Sequence, residues 1–139
     1  MAVKTIKPYL FFNGTALEAI AFYEKALEAK AGRVSRFSDM PGSEVPAEHA
    51  NSVMHAELEV GGGTLFLSDG MPGTSHAQGD GVFVCLEYEG RADVDRHFAA
   101  LSEGGRIAEP LQDTFWGARF GLLVDRFGIH WMFNATLSE

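Results

Sequence analysis

His55 and Glu57 lie two residues apart in Val53-Met54-His55-Ala56-Glu57-Leu58-Glu59-Val60, and His130 opens the run His130-Trp131-Met132-Phe133-Asn134. In an extended chain alternate side chains share a face, so the imidazole and the carboxylate project together. Such a pair can do general acid–base work, and two imidazoles with one carboxylate can bind a transition ion if their tips converge. His55, Glu57 and His130 are therefore the candidate catalytic residues. The competing reading is a polar patch in a pocket, with His55 hydrogen-bonded by Glu57, Tyr9 or Asn134 and His130 solvated on a half-exposed strand. The residues alone leave both readings open.

The alternation that pairs His55 with Glu57 also says what must hold them. Met54, Ala56, Leu58 and Val60 take the opposite face, Gly61-Gly62-Gly63 permits a tight turn, and Thr64 to Ser68 returns with Leu65 and Leu67 inward. The end of the chain is a second hairpin. An aromatic and β-branched run from Phe115 to Val124 meets Asp125-Arg126-Phe127-Gly128, after which Ile129, Trp131 and Phe133 alternate with His130, Met132 and Asn134. The first set is core. A helix-covered sheet needs only one apolar face, so the second set is expected to line something concave and partly polar.

The remaining elements follow from the same two periodicities. Ile6 to Phe12 is a first strand, with Tyr9 and Phe11 opposite Leu10 and Phe12. Thr15 and Glu18 have the spacing of a capping box, and Ala16, Ile20, Tyr23 and Leu27 give helical spacing up to about Lys30. Ala31 to Phe37 is read as a strand. Asp39 to Ser52 has neither period and contains two prolines, which makes it a long loop of the kind used as a lid or binding segment; His49 in it is read as a solvated histidine. A polar, glycine-rich linker, Asp69 to Asp80, precedes a strand from Gly81 to Tyr88 with Val82, Val84 and Leu86 inward. Asp93 to Ser102 is a helix with Val94, Phe98 and Leu101 as its buried stripe, ended by Gly104-Gly105, and Arg106 to Leu111 is a weaker strand.

Bulk properties exclude several classes of function. The 139 residues suffice for one domain, and 46% apolar residues rule out a disordered chain. A formal net charge of -8, from 19 acidic and 11 basic residues, argues against a nucleic-acid partner. No apolar run is long enough for a membrane span, and the first residues lack the layout of a signal peptide, so the cytoplasm is the expected compartment. The single Cys85 forms no intrachain disulfide, and its surroundings read as strand interior.

The order of elements repeats. Val84 to Leu86 corresponds to Leu10 to Phe12, and Trp131-Met132-Phe133 to Leu65-Phe66-Leu67. The expected fold is α+β: duplicated βαβββ modules, about 1–70 and 76–139, within a single domain spanning 1–139, forming a curved mixed sheet around a cleft with the helices outside.

Lys7-Pro8-Tyr9-Leu10-Phe11-Phe12-Asn13-Gly14, Ala19-Ile20-Ala21-Phe22-Tyr23, Leu67-Ser68-Asp69 and the Phe115-to-Asn134 hairpin together resemble the vicinal oxygen chelate superfamily, which includes glyoxalases, bleomycin-resistance proteins and extradiol dioxygenases. The resemblance is closer to its PhnB-like branch, which often carries a label as a ubiquinone-pathway methyltransferase. Metal-dependent members hold a divalent ion by histidine or glutamate on the first and last strands of each module. On this chain those positions match Lys7, Phe66 or Ser68, Gly81 and Met132, none of which suits a hard divalent ion. The resemblance thus implies the fold, and a homodimer, without the inherited metal site.

Two functions of different class lead, with a structural or regulatory dimer that interacts with another protein as a third that no charge block or exposed helical apolar stripe favours. One is a binding protein for a small organic ligand, using Tyr9, Phe11, His55, Phe66, Phe83, Trp116, His130 and Met132, with no metal and no cofactor. The alternative is a metal-dependent lyase, isomerase or dioxygenase acting on a small oxygenated substrate through His55, Glu57 and His130. A methyltransferase receives no support from the residues, since no strand-to-helix glycine-rich cofactor loop is present.

Overall fold

In a computed structural model, which describes residues 2–39, 42 and 46–137, the order β-α-β-β-β occurs twice. The chain divides into two compact units, one up to Ala77 and one from Gln78. The first contains β1 (Tyr9–Phe11), α1 (Ala16–Leu27), β2 (Lys30–Arg36), β3 (Val53–Val60) and β4 (Gly63–Ser68). The second contains β5 (Val84–Glu89), α2 (Val94–Leu101), β6 (Arg106–Asp113), β7 (Ala118–Val124) and β8 (His130–Thr136).

Each unit is one curved, mixed sheet with a helix packed on one face. The strand orders are β1-β4-β3-β2 and β5-β8-β7-β6, with β1/β4 and β5/β8 parallel and the other pairs antiparallel. The parallel pairs arise because the helix carries the chain across the sheet before the next strands form. In the first unit Ala16, Ala19, Ile20, Tyr23 and Leu27 make the buried stripe of α1, over Leu10, Ala56, Leu58, Leu65 and Leu67. In the second, Val94, Phe98 and Leu101 of α2 are buried with Trp131 and Phe133, and the Phe98 ring meets Phe133 edge-on at 5.1 Å.

Several local expectations are corrected. Thr15 stands at the N-cap of α1 but makes no side-chain capping bond. Asp69, from the end of β4, does that work: its Oδ1 accepts the N–H groups of Gly14 and Ala16, and its Oδ2 accepts that of Val53. A buried carboxylate thus ties the helix N-terminus to β3. The helix ends at Leu27, where Glu28 takes the left-handed conformation at φ 53°, and Lys30 already begins β2.

The strands are shorter at their open ends. Ile6 is 87% exposed and lies before β1, and Val82, expected inward, is 81% exposed and lies before β5. Cys85 is exposed, because it pairs in register with Met132 on the face that α2 does not cover and β5 is an edge strand. Val53 is buried although parity groups it with His55; the register of β2 against β3 shifts between Ser35 and Arg36 at this end. Ser68, assigned by parity to the cleft side, is buried and donates to the Val53 carbonyl. Phe37, read as the end of a strand, instead opens a 3-10 turn, Phe37–Asp39, that leads into the expected long loop; within that loop Ala47–His49 forms another, while residues 40, 41 and 43–45 lie outside the described residues. No helix among the described residues is long and apolar enough to cross a membrane.

Candidate functional site

The face of the first sheet that α1 leaves open collects most of the residues singled out from the sequence. Tyr9 is in register with Phe66 across β1 and β4, and Phe66 with Glu57 across β4 and β3, so the three form one row. His55 stands two residues from Glu57 on the same face of β3. Its ring lies 4.8 Å from that of Phe66 and 5.5 Å from that of Tyr9, edge-on to both. Phe11 stacks on Tyr9 with centroids 4.8 Å apart and an interplanar angle of 2°. The Lys7 ammonium lies over the Phe66 ring, 5.1 Å from its centre.

The polar atoms on this face are ordered. Tyr9 Oη is 2.7 Å from His55 Nδ1, and Glu57 Oε2 is 3.4 Å from His55 Nε2. Burial pushes the Tyr9 phenol above its usual value, against the opposing effect of the Ser68 hydroxyl, so the phenol keeps its hydrogen at neutral pH. The arrangement that satisfies both contacts has Tyr9 donating to Nδ1 and the ring hydrogen on Nε2, facing the carboxylate.

One member of this surface was not anticipated. His76 stacks on Phe11 at 4.9 Å, carried there by a reciprocal pair in which Asn13 Nδ2 donates to the His76 carbonyl and the His76 N–H donates to Asn13 Oδ1. Gly70, at φ +72°, makes room for it, since a Cβ there would run into the imidazole. His76 lies in a linker without periodicity, so no pattern marked it.

In the second unit His130 and Met132 occupy the open face of β8, in register with Val124 and Leu122 of β7. Phe83 meets the His130 ring edge-on at 5.0 Å. Trp116 stands elsewhere in this unit, in the β6–β7 turn against Phe115, with the two rings 63% and 97% exposed. Because Ala118 pairs with Thr136 and Val124 with His130, the turn and His130 sit at opposite ends of β8, about 20 Å apart at the usual rise per residue. The Cys85 thiol is pushed up by burial and by the Glu87 charge, which disfavours a nucleophilic thiolate.

The donor set does not fit the superfamily's metal. Among the described residues no group of three or more His, Cys, Asp and Glu is placed to hold an ion. Of the inherited ligand positions, Lys7 brings a positive charge over Phe66, Ser68 is committed to the Val53 carbonyl, and Met132 presents a thioether. A cavity of about 280 Å³ lies beside the α1 N-terminus, lined by Asn13, His49, Ser52, Asp69 and Thr74 among others, and includes none of the expected ligand-binding residues.

The chain is related over nearly its whole length to known proteins. It is 33% identical over 143 residues to YjdN of Escherichia coli K12, covering 96% of this chain and 97% of that protein. Its fold matches the crystal structure of PA1353 from Pseudomonas aeruginosa with a TM-score of 0.85 at 38% identity, over 98% of this chain and 100% of the other. The same fold is found in the putative 3-demethylubiquinone-9 3-methyltransferase, PhnB protein, of Bacillus cereus, with a TM-score of 0.74 at 22% identity over 96% and 100% of the two chains. The family described as 3-demethylubiquinone-9 3-methyltransferase matches residues 4–133, and with the duplicated βαβββ units this establishes that the chain belongs to that family, the PhnB-like branch of the vicinal oxygen chelate superfamily.

Proposed function

We propose that this PhnB-like protein binds a small planar organic molecule, aromatic or amphipathic, without the superfamily's divalent ion. The observation that carries this reading is the aromatic surface of Tyr9, Phe11, His55 and Phe66 on an open sheet face, with polar atoms fixed at its centre. Flat rings suit such a surface because stacked and edge-on contacts add to the burial of area, while a few hydrogen bonds set orientation. Phe83, His130 and Met132 are the corresponding ligand-facing residues of the second unit, and Trp116 is assigned to the ligand on the strength of its type alone. Both units then act as one functional domain.

The family description names a methyltransferase, but among the described residues no glycine-rich loop joins a strand to a helix to receive a nucleotide-like cofactor. We place the protein in the cytoplasm and expect it to pair as a homodimer, since an exposed pair of large aromatics such as Phe115 and Trp116 favours a partner surface. The test is a thermal-shift screen with planar antibiotics, quinones and aromatic acids, with and without divalent ions. Stabilisation by a planar compound in the presence of chelator supports the reading; stabilisation only by a divalent ion, with turnover of a small oxygenated substrate, would replace it with the metal-enzyme alternative.

A further inference from the structure

The imidazole of His55 is held at both nitrogens, and the two holders differ in kind. Glu57 is a carboxylate at 3.4 Å from Nε2, whereas Tyr9 is a neutral phenol at 2.7 Å from Nδ1. The phenol has one hydrogen, and with Nε2–H turned to Glu57 the imidazole receives it at Nδ1. Tyr9 Oη therefore meets a ligand as an acceptor, on a side chain that is 40% exposed on the open face.

Resting on the ligand reading above, we infer that the Tyr9–His55–Glu57 chain accepts a proton from the ligand, and that the ligand class is a planar compound with an acidic hydroxyl, bound as its oxyanion. The ligand O–H bond breaks and its proton goes to Tyr9 Oη, while the Tyr9 hydrogen passes to Nδ1 of His55. The electron pair stays on the ligand oxygen. The imidazolium formed lies beside the Glu57 carboxylate, and the complex as a whole neither gains nor loses a proton.

Two charged groups beside the Tyr9–His55–Glu57 chain have the signs this transfer needs, while Glu59, two residues on from Glu57, and His76, stacked on Phe11, stand further along the face. Glu57 stabilises the imidazolium, and the Lys7 ammonium over Phe66 supplies positive charge for the bound oxyanion. Chemistry narrows the ligand further. An ordinary phenol holds its proton about 3.5 units more tightly than an imidazole in water. The ligand hydroxyl must therefore be acidified by conjugation, as in a hydroxyquinone, a nitrophenol or the enol of a 1,3-dicarbonyl compound.

The probe that tests this is 4-nitrophenol, whose phenolate absorbs in the visible, with nitrobenzene as the analogue lacking the hydroxyl. Full-length protein is titrated at a pH where the free probe is mostly neutral, and equilibrium dialysis gives the bound amount so that phenolate is expressed per bound probe. The expected result is an acid constant of the bound probe raised by about tenfold or more, a His55 ring whose nitrogen resonances move to the imidazolium position on binding, and loss of the bound phenolate signal in Tyr9→Phe. A probe that binds as the neutral phenol overturns the inference, as does a phenolate signal that survives Tyr9→Phe or appears without protonation of His55. Should neither nitrobenzene nor 4-nitrophenol bind at millimolar concentration, the planar-ligand reading fails, and the proton-transfer inference with it. Binding of nitrobenzene together with a neutral bound nitrophenol sinks only the latter.

Discussion

Asp125 and Trp131 are joined across the β7–β8 turn: Oδ2 of the buried carboxylate accepts the indole N–H at 2.8 Å, while Oδ1 accepts the backbone N–H groups of Phe127 and Ile129. One side chain thus shapes the Asp125-Arg126-Phe127-Gly128 turn and anchors the largest fully buried residue of the core. Asp125→Ala should cost about 2–4 kcal/mol of stability, because buried donors lose a charged acceptor and find no water in its place. Asp125→Asn, which keeps an acceptor oxygen, should cost less. Urea unfolding of the three proteins checks the order; an alanine variant as stable as wild type would remove the structural role assigned to the turn.

The helix α1 has its cap in Asp69 rather than in its own sequence. Thr15→Ala should change stability by less than about 0.5 kcal/mol, since the hydroxyl makes no capping bond. Asp69→Ala should cost about 2 kcal/mol or more, because the N–H groups of Gly14, Ala16 and Val53 all lose their acceptor. Thermal denaturation followed by circular dichroism separates the two. Equal losses would mean that the Thr15–Glu18 capping box operates in solution.

That contrast shows where the sequence was legible. Alternation in Ala56 to Leu58 and Ile129 to Phe133, and the helical spacing of Val94, Phe98 and Leu101, each report a local periodicity imposed by one covered face, and each placed its side chains correctly. Asp69 capping α1 and His76 stacking on Phe11 join residues 53 or more and 65 positions apart, respectively, through a turn and a linker that have no period to read. Cys85 failed because an apolar run in an edge strand looks like an interior strand until its neighbours are known, and Val82 because the run extends two residues beyond the start of β5. For the candidate site, parity put Tyr9, His55, Glu57 and Phe66 on one face, but the order Tyr9 to Nδ1 and Glu57 to Nε2 is a matter of rotamers and register.

Arg91 grips Asp113 through two hydrogen bonds, at 3.0 and 2.6 Å, and with Arg119 holds that carboxyl below the usual carboxylate range. A carboxylate with a lowered folded-state pKa contributes stability above its unfolded value, near 4, and loses that contribution as pH falls through the folded value. Arg91→Gln should therefore lower the melting temperature slightly at about pH 6 and by a smaller amount at about pH 2.5. The pair is exposed, so salt should shrink the difference. A gap between the two proteins that widens on acidification would contradict the assignment.

Phe66 is the hub of the open aromatic face, touching Tyr9, His55 and the Lys7 ammonium. Its ring is only partly buried, so Phe66→Ala should cost about 1 kcal/mol of stability, less than a core deletion. For a planar ligand on this face the same truncation removes a ring contact and loosens the Tyr9–His55 pair, worth about 1–2 kcal/mol of binding, or roughly a five- to thirtyfold loss of affinity. Phe115→Ala is the comparison, because Phe115 is almost fully exposed in the β6–β7 turn and acts on the ligand only through Trp116, so its loss should weaken binding less than that of Phe66. Isothermal titration with whichever quinone or aromatic acid gives the largest thermal shift measures both. If Phe66→Ala bound that compound as wild type does while Phe115→Ala weakened it, the ligand would belong to the hairpin tip of the second unit and not to the face built around Tyr9.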